Sequence, residues 1–490
     1  MLTSSLVACS LFALTPGASL AAIPLAAPFG SSSATLARTV DRIEGGVPNL
    51  RSLAGKGAVL VGGHSSAGDG GGGTFEWMPA STAPDNGGTI VAPNPAQPGR
   101  WVRVHSGTLN ARWFGAGLSL GNDSARIANA LAALAAAGGG ELFFPTGNYA
   151  TTSTITLGSG MILRGESMAS RIIAVGSFDT VTIAGTPGAQ LANIGLDTLY
   201  FAEHGKLGGN SILAQHVSQL GIRNCQFDSP STGIRLHGFN TVDVQKVRIA
   251  GVRATNAYGF WLTGDAVAGS DVISFKDVVV QGGVSSSHSQ HGVIVDGRVN
   301  TLSAYKLYCV NSDGAGVWFR NTMGSSDPQF ATFYGLEVDF PYFEAVHIAA
   351  GRQIYFTDAQ MHGSATRANV YIAPEASVIG FTGGFSHGAA AAGFDVYGRQ
   401  VSITGVDVYA NSLAAVGTYS GIELNPTSRM VTVTGNKCGD PATPTQLAGI
   451  RIGAGADQFT VVGNTAFHNG VGVSNSAGTG SSRVVANNAQ

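Results

Sequence analysis

The chain has 490 residues, of which 70 are glycine and only 11% are charged. That balance argues against a helix-rich enzyme, because glycine weakens helix interiors and ion pairs line helix surfaces. A net charge of −2, with no cluster of lysine and arginine, provides no field for nucleic acid and excludes it as the expected partner.

In chain order, residues 1–28 are apolar, small and uncharged, and read as an export leader. Ala18-Ser19-Leu20-Ala21 closes the run as a signal-peptidase site would, although no basic residue precedes it and the first cation is Arg38. A secreted or periplasmic protein is expected. Pro16, Pro24 and Pro28 interrupt the run, so it does not predict a membrane span. Residues 29–60 are polar and irregular and read as a linker. Residues 61–109 read as a small β-rich module: glycine-rich turns such as Asp69-Gly70-Gly71-Gly72-Gly73 frame Thr74-Phe75-Glu76-Trp77 and Thr89-Ile90-Val91, which suit a hairpin. One helix follows. Asn122 or Asp123 caps it, Ile127, Ala130, Leu131 and Leu134 fall at helical spacing, and Gly138-Gly139-Gly140 stops it.

From about residue 141 a unit of roughly 22–30 residues recurs. Each carries a glycine-led alternating element, as in Gly233-Ile234-Arg235-Leu236-His237, Gly316-Val317-Trp318-Phe319-Arg320 and Gly449-Ile450-Arg451-Ile452-Gly453. A second element precedes it, as in Val401-Ser402-Ile403-Thr404-Gly405-Val406-Asp407-Val408. Period-two alternation means strands with one buried face. Recurrence means that each strand stacks, parallel and about 4.8 Å away, on its counterpart in the next turn of the chain. The predicted fold is all-β, a single-stranded right-handed parallel β-helix over 110–490. Cys225, Cys309 and Cys438 all fall at inward positions three or more coils apart, beyond the roughly 7 Å that a disulfide spans, so buried thiols are expected.

The opening of this region resembles the pectate-lyase-like β-helix superfamily, which includes bacterial polysaccharide lyases, rhamnogalacturonase-like hydrolases and phage tailspike depolymerases. The resemblance is carried by Asn110-Ala111-Arg112-Trp113-Phe114-Gly115-Ala116, by the helix from Asp123, by Gly138-Gly139-Gly140-Glu141-Leu142-Phe143-Phe144-Pro145-Thr146-Gly147-Asn148-Tyr149, and by Met161-Ile162-Leu163-Arg164-Gly165-Glu166-Ser167. It implies that the helix caps the first coil and that the Pro-x-Gly-x-Tyr segment starts the solenoid. The glycine-rich stretch ending in Gly99-Arg100-Trp101 resembles the domain preceding the solenoid in tailspikes and some secreted lyases. Where the family usually has Asp-Gly-x-x-Asp before the cap helix, this chain has Leu118-Ser119-Leu120-Gly121-Asn122-Asp123. No catalytic signature of one subfamily is present.

Register allows candidate chemistry to be read as outward stripes. On the glycine-led strands the stripe runs Arg235, Trp261, Ile294, Trp318, His347, Tyr371, Asp395, Glu423, Arg451. The richest stretch is 300–365. Glu337 and Asp339 point outward together, about 6.5–7 Å apart by strand rise, near the roughly 6.5–9.5 Å of an inverting hydrolase; Glu344 could replace either. Two solvated carboxylates are the plainer alternative. For elimination next to a uronate carboxyl, His347, His362, Tyr308 and Lys306 are candidate bases, with Arg320 and Arg298 as charge partners. Trp318, Trp261, Tyr342 and Tyr371 could stack on sugar rings, although aromatics favour strands in any case. No metal ligands are assigned and no cofactor is implied with certainty; calcium bound by carboxylates stays open, supported only by Glu337 and Asp339.

The expectation is an extracellular polysaccharide-degrading enzyme. It leans to a lyase acting on a uronate-containing exopolysaccharide, because the resemblance implies it and an Arg/His/Tyr mix suits uronates. The alternatives are an endo-acting glycoside hydrolase using Glu337 and Asp339, or a non-catalytic glycan-binding surface protein. Monomer and homotrimer both remain open.

Overall fold

The structure, a computed structural model, describes residues 38–118, 121–283, 289–440, 442–478, 480 and 482–489; the expected leader over 1–28 lies outside them. From Gly140 onward the chain winds as a right-handed parallel β-helix with three strand ladders. The first two ladders merge into a 23-stranded sheet and the third is a 13-stranded sheet. Every strand pairing within these two sheets is parallel, as in Ile273↔Leu302, Ala331↔Ile354 and Val293↔Val317. Long strands such as Asn300–Val310 and Arg352–His362 run through the first and second ladders without a break.

The inward side is continuous and apolar because each coil presents the same alternation to the next. Phe333, Phe356 and Phe381 stack in successive coils, with ring centroids 4.8 and 4.5 Å apart. The leading glycine of the third ladder has a steric cause. A Cβ on Gly292 would sit 2.4 Å from the Gly316 carbonyl oxygen, so the coils could not stack at strand spacing. Cys225, Cys309 and Cys438 are free and buried. Burial pushes the Cys309 thiol up to about 12.

The helix Ser124–Ala136 covers the first coil and buries Ile127, Ala130, Leu131 and Leu134. The capping side chain is Asn122, whose Oδ1 accepts from the Ser124 N–H at 2.9 Å; Asp123 makes no such bond. Tyr149 is buried, and its hydroxyl donates to the Pro145 carbonyl at 2.8 Å, closing the Pro-x-Gly-x-Tyr turn.

The N-terminal module is a five-stranded sheet with its own core, including Ile43, Leu50, Phe75 and Trp101. It reaches back into residues expected to be linker. Thr39–Val40 pairs with Ala58–Val61, and Leu50 packs beneath them. A polar, irregular composition concealed two short strands, in which Val40, Val59 and Val61 point inward while Ala58 and Leu60 are exposed. The expected hairpin is also rearranged. Gly73–Met78 and Ile90–Val91 do not pair with each other; both pair with Arg100–Arg103.

Candidate active site

The outward stripe of the third ladder follows the predicted register. Arg235, Trp261, Ile294, Trp318, His347, Tyr371, Asp395, Glu423 and Arg451 are aligned coil upon coil. Their side chains form a stack. The Arg235 guanidinium lies 4.3 Å from the Trp261 ring, and Arg320 lies 4.5 Å from Trp318 and 5.5 Å from Trp261. The ring centroid of His347 is 5.6 Å from Trp318 and 4.9 Å from Tyr371. A guanidinium therefore covers part of each indole. The buried Nε1–H groups of Trp261 and Trp318 have no acceptor among the described residues, which leaves donor capacity unused.

Trp261, Trp318, Arg320 and His347 of this stack line a cleft of about 440 Å³, together with His291, Glu344 and Arg367. His347 donates from Nδ1 to Glu344 Oε2 at 3.0 Å, and Arg367 donates to Glu344 Oε1 at 3.1 Å. Burial would raise the Glu344 carboxyl, but the His347 hydrogen bond and the charges of His347 and Arg367 outweigh it and hold the group below the usual carboxylate range. In the neutral tautomer selected by this bond, His347 Nε2 carries the lone pair. Behind Arg320, Asp296 is fully buried and accepts from Arg320 Nε at 2.8 Å and from the Thr322 backbone and hydroxyl, which fixes the guanidinium plane. His291 Nδ1 accepts from the Ala315 N–H; burial and the neighbouring charges of Arg320 and His347 lower the ring to about 4. Two coils beyond His347, burial and the charges of Glu423 and Glu344 raise Asp395 to about 6, against the hydrogen bond from Asn425.

The cleft thus gathers Trp261, Trp318, Arg320, Glu344 and His347 from the expected set, with Tyr371 beside it. The others lie elsewhere. Glu337, Asp339, Tyr308 and His362 share the second ladder, where Tyr308↔Glu337 and Asp339↔His362 are register pairs. There the Tyr308 hydroxyl donates to Asp339 Oδ2 at 2.9 Å, and His362 lies 3.7 Å from Asp339. Burial, with the hydrogen bond and charge of Asp339, pushes Tyr308 up to about 12. Burial and Asp339 also raise Glu337. The richest stretch, 300–365, is therefore divided into two clusters, because the turn between Asp339 and Val346 carries the chain around to another face. Tyr342 lies on that turn, edge-on to Phe343 at 5.3 Å. Arg298 lies in the turn after the strand His291–Gly297, against Gly269, and does not line the cleft. Among the described residues no group of three or more His, Cys, Asp or Glu converges as a metal site.

Sequence reasoning gave Arg367 no role and left His291 unassigned. A signal for Arg367 was available. Ala345 aligns with Asn369 through the bond from Val346 N to Asn369 O, so extending the register into the turn puts Arg367 two positions ahead of Asn369, beside Glu344 of the preceding coil.

Residues 110–317 match the family described as "Rhamnogalacturonase A/epimerase, pectate lyase-like". Over those residues the chain is similar to that family's domain. Ahead of this domain, residues 46–106 match a "Phage tail protein small four-stranded beta-sheet domain". The chain matches no curated protein. Among solved structures, tailspike protein 3 of bacteriophage CBA120 is 15% identical with a TM-score of 0.58, over 77% of this chain and 60% of that one. The chain thus spans less than two thirds of that tailspike, and the likeness establishes the fold. The A-module of the mannuronan C-5 epimerase AlgE6 from Azotobacter vinelandii is 18% identical, over 78% of this chain and 98% of that one, at a TM-score of 0.49. Tailspike gp49 of Acinetobacter baumannii bacteriophage Fri1, a capsular polysaccharide depolymerase, is 12% identical, over 81% and 74%, at 0.45. These last two overlay too loosely to add to the argument. No helix among the described residues is long and apolar enough to cross a membrane.

Proposed function

We propose that the pectate-lyase-like domain belongs to an extracellular enzyme that cleaves a uronate-containing polysaccharide by β-elimination in the third-ladder cleft. The observation that carries this reading is the His347–Glu344 pair set between Arg320 and Arg367. Arg320 and Arg367 neutralise the uronate carboxylate, which acidifies the carbon-bound proton next to it. His347 Nε2 removes that proton, and the electron pair moves into the carboxylate as an enolate-like charge held by the guanidinium groups. The pair then forms the carbon–carbon double bond as the glycosidic carbon–oxygen bond breaks. The departing oxygen takes the proton from the His347 imidazolium, and Glu344 stabilises the imidazolium in between. The match to a phage-tail domain at residues 46–106 supports action outside the host cell.

Incubation with a panel of acidic and neutral polysaccharides tests the proposal. Ultraviolet absorbance from unsaturated uronate products, abolished in His347→Ala, is the expected outcome. New reducing ends without absorbance would instead favour a hydrolase at Glu337 and Asp339, where the raised Glu337 and the Tyr308–Asp339 bond give that second reading its support. Binding with unchanged chain length would make the protein a glycan-binding module.

A further inference from the structure

Two histidines line the third-ladder cleft, and the elimination described above uses only His347. His291 opens the strand His291–Gly297, with Tyr258 of the preceding coil as its register partner. Its ring centroid lies 4.8 Å from that of Trp318, and the ring lines the cleft together with Arg320, Glu344 and His347.

The ring is held by one edge. Nδ1 accepts the Ala315 N–H at 3.0 Å. Only a lone pair can accept that bond, so in the neutral ring the proton sits on Nε2. Gly314 closes the same edge: a Cβ there would come within 2.7 Å of Nδ1 and 2.8 Å of Cε1. The Nε2–H has no acceptor among the described residues. Burial and the positive charges of Arg320 and His347 lower the ring to about 4, against the opposing charge of Glu344, so it is neutral at neutral pH.

The two imidazoles are therefore opposite in character. His347 donates from Nδ1 to Glu344 and presents a lone pair at Nε2. His291 commits its lone pair to Ala315 and presents a proton at Nε2. The first is set to take up a proton. The second is set to donate a hydrogen bond and keep its proton, as a neutral imidazole does.

We propose that His291 is a second catalytic residue of the cleft, whose Nε2–H donates to the uronate carboxylate on the side held by Arg320. The assignment rests on the elimination proposed above. When His347 removes the carbon-bound proton, the electron pair moves onto that carboxylate, its oxygens gain charge, and the hydrogen bond strengthens. The His291 proton stays on Nε2 throughout. A donor that strengthens with developing charge acts on the transition state more than on the bound substrate, so its loss falls on kcat rather than KM.

The test has two arms, both on the full chain. The first is ¹⁵N NMR of the histidine rings, with His291→Gln assigning the resonances. A ring that stays neutral where an ordinary histidine is charged, with its proton on Nε2, is expected. The Nε2 signal should also shift on addition of short oligomers of galacturonate, glucuronate or mannuronate. A proton on Nδ1, or no shift with any of the three, would overturn the proposal. The second arm uses the polysaccharide that yields unsaturated product. His291→Phe should lower kcat about 10²-fold with KM within about threefold, whereas His291→Gln, which keeps an N–H donor, should stay within about tenfold of wild-type kcat. Equal losses of kcat in both variants, or a loss confined to KM, would also overturn it. If His291→Phe fails to fold by circular dichroism, the first arm decides. If no polysaccharide yields unsaturated product, the elimination itself fails, and the shift with uronate oligomers still decides whether His291 contacts a carboxylate.

Discussion

The two clusters of ionisable residues between 300 and 370 are close in sequence and differ in construction. On the third ladder, His347, Glu344 and Arg367 form a paired network with one carboxylate almost fully buried, and Arg320 is anchored by buried Asp296. On the second ladder, Glu337, Asp339, Tyr308 and His362 lie on an open, partly exposed strip. Residues a few positions apart thus end on different faces, and only one face surrounds a cleft with opposed charges. Proximity along the axis of a solenoid says which coil a residue occupies; it does not say which side of the coil.

The largest effect that could break this contrast is catalytic. His347→Ala should lower kcat by about 10²–10⁴-fold, and Glu344→Gln by about tenfold through lost orientation of the imidazole. Asp339→Asn should stay within about threefold. Steady-state rates on an acidic polysaccharide decide it, and collapse of the Asp339 variant alone would move the chemistry to the second ladder.

The next effect separates anchored from free cations. Arg320→Ala leaves Asp296 buried without its cation and should lower unfolding free energy by about 3 kcal/mol. Arg367, half exposed, should cost under about 1 kcal/mol on replacement by alanine while raising KM. Chemical denaturation and kinetics on both variants read this difference.

Acid should sharpen the contrast further. The His291 ring is held near 4 in the fold, against an ordinary value of 6.5. A group with a depressed folded pKa takes up protons in the unfolded chain first, so its contribution is fully present above pH 6.5 and is lost as pH falls from there toward 4. His387 on the second ladder is also lowered to about 4, by burial and by His362. Melting temperature should therefore decline across that window, and His291→Gln should flatten the decline more than His387→Gln, because His291 is the more buried. Equal flattening would remove the distinction.

The smallest effect tests the corners that divide one face from another. Between the first and second ladders the chain turns through a residue in the left-handed region: Lys306, Gly335, Asp358 and Gly383 in successive coils, with φ of 55°, 61°, 53° and 67°. A Cβ on Gly335 would touch nothing within 4 Å, so Gly335→Val isolates the backbone cost and should destabilise by about 1–2 kcal/mol. A neutral result in denaturation would show that stacking, rather than local conformation, holds the corners.

These corners also explain what the sequence left unread. Inward residues such as Phe333, Phe356 and Phe381 were legible because burial writes an alternation into each strand and stacking repeats it. The outward stripe from Arg235 to Arg451 was legible for the same reason. Left-handed Lys306 and Asp358 carry no mark in hydropathy, and neither do the strands hidden in 38–60. The partners of Glu344 come from the strand that follows it and from the turn of the next coil, and that turn lies outside the alternating strands in which the pattern was read.

By itself, then, the sequence determined that the chain winds with one side always inward, and which side that is, since every coil must bury the same alternating face against its neighbour. Tertiary structure alone decided that His347 meets Glu344 and Arg367 in a cleft while Asp339 looks out elsewhere. That choice depends on how far each turn rotates the chain, and rotation is set by packing between coils rather than by the residues of any one of them.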